Sequence, residues 1–259
     1  MAFAQAARRP IEGAVATMGV SDRVAFLRRT YAHLGGALLA FVLLTAGMMK
    51  YMTDFSIRMA TWGNGLGSMV VALILFIAVA YAAQRLAQSE TSRALQYVGL
   101  GVGVILWSIL AQPMIWYTVL RFGHPAELIA SDGIHFALSA KAAAVLGEAT
   151  IVTLAIFIGL TLTVFMTKKD FTFLRGALSV GIWSMIGVGI AAMMFGFNIG
   201  VLYSAFGIML MAGYILYETS LIMSYFRPTQ HVSAALMLFG TIINLFLHVL
   251  RIVGELNRR

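Results

Sequence analysis

The chain has 259 residues, of which 61% are hydrophobic and only 11% are charged, and its formal net charge is +8. Soluble domains carry roughly 25% charged residues, so this composition excludes an ordinary soluble protein and indicates a polytopic membrane protein. The sequence has no cysteine, which excludes disulfides, thiol nucleophiles and cysteine-ligated metals. The basic residues are spread over the connections and are not clustered with aromatic residues, so we expect no nucleic-acid partner.

The N-terminal region differs in composition from the rest of the chain. Ser21-Asp22 is typical of a helix start, and the residues from Val24 to Leu34 form an amphipathic pattern. We therefore predict a cytoplasmic tail and interfacial lead-in over 1–31, followed by a single seven-helix membrane domain over 32–259. Because no cleavable signal is recognisable, the first span should act as the targeting element.

Seven apolar stretches approach or exceed the ~20 residues that a helix needs to cross a bilayer. The predicted fold class is therefore an all-α polytopic membrane protein with seven transmembrane helices. The spans are predicted near 32–49, 66–84, 96–120, 142–166, 177–196, 201–225 and 232–254.

Two features of the middle of the chain have ordinary explanations. Gln112-Pro113 interrupts the third span, and a proline there is compatible with a packing kink or with a kink beside a pore. The long connection 121–141 contains Asp132 and His135 at a spacing that a metal could use. Two ligands do not make a metal site, so we interpret both as solvated loop residues.

The basic residues predict the orientation of the chain. With the N-terminus inside, eleven lysines and arginines fall in cytoplasmic segments and seven fall outside. Cytoplasmic loops are enriched in these residues, so we predict a cytoplasmic N-terminus. A last segment that turned back would give fourteen inside and four outside, and this alternative stays open.

The last two spans carry the polar groups that the bilayer tolerates least. Glu218 lies well inside the sixth span, and a charged side chain at that depth is costly unless it has a function or a partner. The seventh span carries a polar row at helical spacing on one face, which must point at protein or water. The members of this stripe are Thr241, Asn244, His248, Arg251 and Glu255.

Chain counting places Glu218 and Thr241 at a similar depth. Glu218 precedes the Arg227-Pro228 turn, and Thr241 follows it. In an antiparallel pair both would lie ~12–15 Å from the turn at 1.5 Å per residue. Tyr214 lies one turn before Glu218 and could donate a hydrogen bond to it. The pattern predicts a proton- or cation-responsive site, with a neutral packing role for Glu218 as the alternative.

The outer half of the hairpin gives weaker hypotheses. Arg251 lies too far along its helix to pair with Glu218, so we expect an ion pair with Glu148, which should lie at a comparable depth. His248 is more often a satisfied core histidine than a switch. Ser204 and His248 suggest an intramembrane protease, but no nucleophile motif surrounds Ser204, and no enzymatic activity is expected.

Three segments resemble the Bax inhibitor-1 family, the transmembrane Bax-inhibitor-motif proteins. The loop after the fourth span is similar to the family's loop at that place, the sixth span resembles its Tyr-Asp-Thr segment, and the last span resembles its Ile-Asn-Leu-Phe…Leu-Arg signature. These segments are Thr167–Gly176, Leu216–Ile222 and Ile242–Gly254.

The resemblance implies six helices around a central seventh, and a pH-sensitive calcium leak governed by paired aspartates. The first aspartate falls on Glu218, the second falls on Thr241, and the family's basic residue falls on Arg251. An acid that the family places on its second span has no counterpart here. For a bacterial-type member, the resemblance also implies the inner membrane.

The change at Thr241 matters because two close carboxylates share a proton and titrate together, whereas a Glu–Thr pair has one titratable group. Our leading hypothesis is a calcium or cation leak channel with a pH response, in which Glu218 makes at most a transient calcium contact. We expect the bilayer and cations as partners, with no cofactor and no resident metal. The alternative is a non-conducting regulator that binds another membrane protein, such as a membrane-bound protease.

Overall fold

The computed structural model describes residues 13–62, 66–123, 129–130, 133–134, 137–167, 169–196 and 199–258. Within these ranges there are eight α-helices, three short 3-10 turns and one two-residue strand pair. The helices are α1 (Val20–Tyr51), α2 (Thr53–Thr61), α3 (Leu66–Ala87), α4 (Arg93–Phe122), α5 (Ala140–Thr167), α6 (Arg175–Phe195), α7 (Gly200–Tyr225) and α8 (His231–Leu256). The 3-10 turns are Val15–Thr17, Thr172–Leu174 and Pro228–Gln230, and the antiparallel strands are β1 (Ile129–Ala130) and β2 (Gly133–Ile134).

Seven of the helices in the described ranges, all except α2, are long and apolar enough to cross a bilayer. Helices suit this environment because they satisfy every backbone polar group within one segment. The chain is a multi-pass integral membrane protein, and the predicted all-α architecture is confirmed.

The C-terminal helix α8 lies at the centre of the bundle. In its most apolar stretch 56% of the residues are buried, against 11–39% in the other six spans. Helices α1, α3, α4, α5 and α7 pack directly against α8, whereas α6 packs mainly on α7. The predicted central position of the last helix is confirmed, with α6 as an outer helix of the bundle.

The first span and its lead-in form one uninterrupted helix. Helix α1 has 32 residues, a length of about 48 Å, which exceeds the ~30 Å hydrocarbon core. A helix of this length has room for the lead-in in its first turns, and the interfacial position of those turns stays a prediction. Of the predicted tail, residues 1–12 lie outside the described part. Val15 is buried, and its N–H donates to the carbonyl of Phe226 at 3.0 Å, so the end of the tail is docked on α7.

The connection predicted over residues 52–65 contains a helix of its own, α2. A buried polar cluster anchors α2 to α4 through three side chains, Ser56, Gln112 and Trp116. The hydroxyl of Ser56 donates to Oε1 of Gln112 at 2.6 Å and accepts from Nε1 of Trp116 at 2.6 Å. Helix α4 continues through Pro113. Gln112, beside this proline, therefore has a packing role that the sequence did not reveal.

The long connection after α4 carries the two side chains weighed as metal ligands. Asp132 and His135 lie outside the described residues, and the interpretation of both as loop residues stays a prediction. Ser139 closes the connection, since its hydroxyl donates to the carbonyl of Phe122 at 2.7 Å and accepts from the Ala142 N–H at 3.1 Å.

Candidate functional site

The hairpin of α7 and α8 has a register that glycines make possible. A methyl group built at Gly207 would lie 2.5 Å from Nε2 of His248, and one built at Gly200 would lie 2.7 Å from Nη2 of Arg251. Both glycines therefore leave space on α7 for long polar side chains of α8. These two members of the polar stripe of α8 therefore face α7, whereas the spacing predicted only that the stripe points at protein or water.

The same register brings Glu218 and Thr241 into contact. The Thr241 hydroxyl lies 2.9 Å from Oε1 and 2.8 Å from Oε2 of Glu218, so it donates its one hydrogen between the two oxygens. Both residues are buried, with 7% and 8% of their surface exposed. The predicted equal depth of these residues is confirmed. A carboxylate accepts about four hydrogen bonds, so capacity for further partners remains.

A cavity of about 290 Å³ lies beside this pair, bounded by α3, α4, α6, α7 and α8. Its apolar walls include Phe76, Leu106 and Ile182. The polar side chains that line it are Gln84, Tyr214, Glu218, Thr241 and Asn244. A cavity of this size has room for several water molecules, and these polar side chains offer them hydrogen-bond partners. The arrangement provides oxygen ligands of the kind that calcium prefers, from a carboxylate, hydroxyls and amides.

Tyr214 lines the cavity, but its hydrogen bond differs from the expected one. Its hydroxyl donates to the carbonyl of Leu178 on α6 at 3.4 Å, so the expected bond to Glu218 is not the one that forms. A long side chain on a helix surface can reach a neighbouring helix as easily as its own next turn. Tyr214 therefore joins α7 to α6 and borders the site.

The outer members of the stripe extend away from the cavity. Asn244 still lines it, whereas His248 packs on Gly207 with its ring centroid 5.9 Å from that of Tyr203. Arg251 lies over Gly200 near the outer end of the hairpin. Glu255, the last member of the stripe, forms ion pairs with Arg121 at 3.9 Å and with Arg258 at 3.4 Å. The stripe thus runs from a hydrogen-bonded centre to an end where charges are paired.

Glu148 does not form the expected ion pair with Arg251. Its Oε2 accepts a hydrogen bond from Nδ2 of Asn257 at 2.8 Å, and no ion pair within 4.0 Å joins it to Arg251 in the described chain. Asn257 lies six residues beyond Arg251, about 9 Å along the helix axis. The expectation was wrong because counting residues places Glu148 at the wrong level of α8.

Ser204 and His248 do not form a nucleophile–base pair. Ser204 Oγ is fully buried and has no hydrogen-bond partner among the described side chains and backbone. Activation of a serine requires a base within hydrogen-bond reach. The described geometry therefore gives the protease alternative no support.

Two residues that contribute to the site were missed by sequence reasoning. Gln84, at the end of an otherwise apolar span, lines the cavity and donates to the Ser233 hydroxyl at 2.8 Å. Trp107 packs on the face of α8 at Gly240, where an added methyl group would lie 3.1 Å from its Nε1. An amide inside a transmembrane segment is a signal that could have identified Gln84. Trp107 gave no comparable signal.

The profile of the family described as "Inhibitor of apoptosis-promoting Bax1" matches residues 23–258. The chain is 28% identical to "Bax inhibitor 1" of Schizosaccharomyces pombe over 250 residues, covering 93% of this chain and 80% of that protein. It is 31% identical over 151 residues to "Protein lifeguard 4" of Mus musculus, covering 55% of this chain and 63% of that protein. It is also 31% identical to an "Uncharacterized membrane protein" of Vibrio cholerae over 114 residues, covering 44% of this chain and 51% of that protein.

The family profile spans all three segments on which the resemblance rests. Since the family profile covers nearly the whole chain, the chain belongs to the Bax inhibitor family of membrane proteins.

Proposed function

We propose that the protein is a passive leak channel for calcium or similar cations, and that its flux responds to pH through Glu218. The observation that carries this proposal is a buried acidic side chain, bound by one hydroxyl, on the wall of a cavity that five helices border. A carboxylate within the membrane attracts a cation and lowers the cost of removing its hydration shell.

The chemistry of the pair favours transient binding of a cation. Glu218 is the one acidic side chain on the cavity wall, and Thr241, Asn244 and Gln84 supply neutral groups. Among the described residues, no group of three or more histidines, cysteines and acids comes together. Calcium is held tightly by several carboxylate oxygens, so one carboxylate suits a site that an ion enters and leaves.

The pH response follows from the same geometry. The ionised carboxylate attracts cations, whereas the protonated form is neutral and can itself donate a hydrogen bond. Because Thr241 stands where the family resemblance expects a second acid, one group titrates here, and no proton is shared within a pair. We therefore expect a single, shallow transition of flux with pH, with more flux in the ionised form.

The test is calcium flux into proteoliposomes over a range of pH, with wild type, Glu218→Gln and Thr241→Asp. Glu218→Gln should lower flux by about tenfold or more, the effect of losing roughly 1.4 kcal/mol of cation stabilisation. Glu148→Gln is the matched control, because it makes the same change at an exposed acid away from the cavity. Thr241→Asp should steepen the pH response. Flux no greater than that of empty liposomes in every variant would exclude the channel.

A second candidate function is that of a non-conducting regulator of another membrane protein. The observation that favours it is the single carboxylate at a site where the family resemblance implies two. Crosslinking in native membranes should then trap a partner at fixed stoichiometry. Recovery of the monomer alone, together with cation flux in liposomes, would favour the channel.

We also propose that the N-terminus faces the cytoplasm and that the membrane is a bacterial inner membrane. More lysines and arginines fall in the segments on the same side of the membrane as the N-terminus than in the segments on the other side, and this excess supports the orientation. Because the chain has no native cysteine, a single cysteine placed near the C-terminus can be labelled from either side. With seven spans, labelling from the outside is expected, and labelling from the cytoplasm alone would contradict it.

A further inference from the structure

A groove between α1 and α4 opens on the outer surface of the bundle, away from the Glu218 cavity. Its volume is about 710 Å³, and small residues line much of it. Gly36 and Ala40 contribute from α1, and Gly101 contributes from α4. A methyl group built at either glycine would meet no atom within 4 Å, so both positions face open space.

The length of the groove matches one leaflet of a bilayer. Along α1 it extends from Ala32 to Leu44, a distance of about 18 Å at 1.5 Å per residue. The hydrocarbon core is about 30 Å thick, so one leaflet contributes about 15 Å. Beyond His33 and Tyr97, all of the lining residues are apolar or glycine. The groove therefore has the dimensions and polarity of a site for one acyl chain.

The end of the groove nearest the starts of α1 and α4 is polar. His33 and Tyr97 lie there, with His33 Nε2 at 3.0 Å from the Tyr97 hydroxyl and the ring centroids 5.6 Å apart. The carbonyl of Arg29 lies 2.7 Å from His33 Nδ1 and holds the ring in place. Tyrosine is enriched at the level of lipid headgroups. This end of the groove thus has the chemistry of the membrane interface.

Two arginines extend the same helix faces past this polar end. Arg29 is one turn before His33 on α1, and Arg93 is one turn before Tyr97 on α4, so each lies on the groove side of its helix. Both side chains are exposed, and both lie within electrostatic range of His231 on α8. Glu90, which precedes α4 at this end of the bundle, is bound to Arg227 at 2.9 Å. The positive charge of Arg29 and Arg93 therefore faces the headgroup region.

We propose that this groove binds one acyl chain of an anionic phospholipid, and that Arg29 and Arg93 bind its headgroup, with His33 and Tyr97 at the junction between headgroup and chain. Charge complementarity selects the anionic lipid, and the length and apolar lining of the groove select the acyl chain. The site is separate from Glu218, so the proposal holds whether or not the protein conducts cations.

The experiment counts lipids bound to the full-length purified protein by native mass spectrometry. Phosphatidylglycerol is titrated against phosphatidylcholine with the same acyl chains, at low and high salt. Each arginine near a membrane surface contributes about fivefold to the affinity for an anionic lipid, so wild type should prefer phosphatidylglycerol by about 25-fold. The preference should fall as salt screens the charges.

Two sets of variants separate the headgroup from the chain. Arg29→Gln combined with Arg93→Gln should reduce the preference to near unity, whereas Arg85→Gln combined with Arg175→Gln makes the same charge change elsewhere and should preserve it. Gly101→Leu should fill the groove and weaken binding of both lipids. Gly35→Leu is its control, since Gly35 is equally open but does not line the groove.

Three results would overturn the proposal. Equal binding of the two lipids by wild type would exclude recognition of the headgroup. Unchanged binding in Gly101→Leu would place the lipid elsewhere. Loss of a dimer in Gly101→Leu, with lipid binding unchanged, would show that the groove is an interface with a second copy of the chain.

Discussion

Two buried polar clusters in this protein use the same kinds of bonds but differ in what remains available to a ligand. In the cluster of Ser56, Gln112 and Trp116, the groups are neutral and all three side chains are joined by short hydrogen bonds. In the pair of Glu218 and Thr241, a single hydroxyl is the hydrogen-bond donor to a carboxyl group that borders a cavity. A satisfied neutral cluster stabilises packing, whereas a carboxylate with spare acceptor capacity beside a cavity is suited to bind an ion.

The largest expected effect on stability comes from breaking the neutral cluster. Ser56→Ala removes the donor to Gln112 Oε1 and the acceptor of Trp116 Nε1, and a buried polar group without a partner costs about 1–3 kcal/mol. We expect a loss of about 2–3 kcal/mol, measured by thermal unfolding in detergent. Ser184→Ala on the exposed face of α6 is the control. An equal melting temperature for both variants would show that this cluster has no packing role.

A smaller effect is expected from disturbing the register of the α7–α8 hairpin. In Gly207→Ala the new methyl group would lie 2.5 Å from the His248 ring, and such overpacking costs about 1–3 kcal/mol. Part of this cost is offset, because alanine favours a helix by about 1 kcal/mol over glycine. We expect a net loss of up to about 2 kcal/mol in the same unfolding measurement. Gly187→Ala, which meets nothing within 4 Å, should not destabilise the protein.

Removing the Thr241 hydroxyl from its pair with Glu218 should lower the free energy of unfolding by less than Ser56→Ala does. Thr241→Val deletes the hydroxyl that Glu218 accepts from but keeps the shape of the side chain. Because the carboxylate borders a cavity, water can replace the lost donor. We expect a loss below about 1 kcal/mol. A loss as large as that of Ser56→Ala would mean that water does not reach Glu218. The two clusters would then not differ in their access to a ligand.

The smallest effect on stability should come from Glu218→Gln, although its effect on flux should be large. The amide is the same size, and its oxygen still accepts from Thr241, so we expect a change within about 0.5 kcal/mol, as for substitutions that break no buried bond. Calcium flux in liposomes should nevertheless fall. Wild-type flux combined with strong destabilisation would assign Glu218 to packing.

The hairpin shows how far sequence reasoning reached. Spacing identified the polar stripe of α8, and counting from the turn placed Glu218 opposite Thr241, because the antiparallel hairpin is short and its register is local. The same counting failed for Glu148, which belongs to a distant segment and contacts Asn257. Tilt and rotation between non-adjacent helices are not encoded in residue number, so errors grow with separation along the chain.

The sequence by itself determined the number of spans and the residues of the polar face of α8, since apolar length and helical periodicity are local properties that a bilayer makes obligatory. The central position of α8 was implied by the family resemblance. The tertiary structure decided the other contacts. It placed Gln84 on the cavity wall, turned Tyr214 toward α6 and joined α2 to α4 through Ser56. These outcomes depend on how helices rotate against one another, which is set by the packing of side chains from several segments at once.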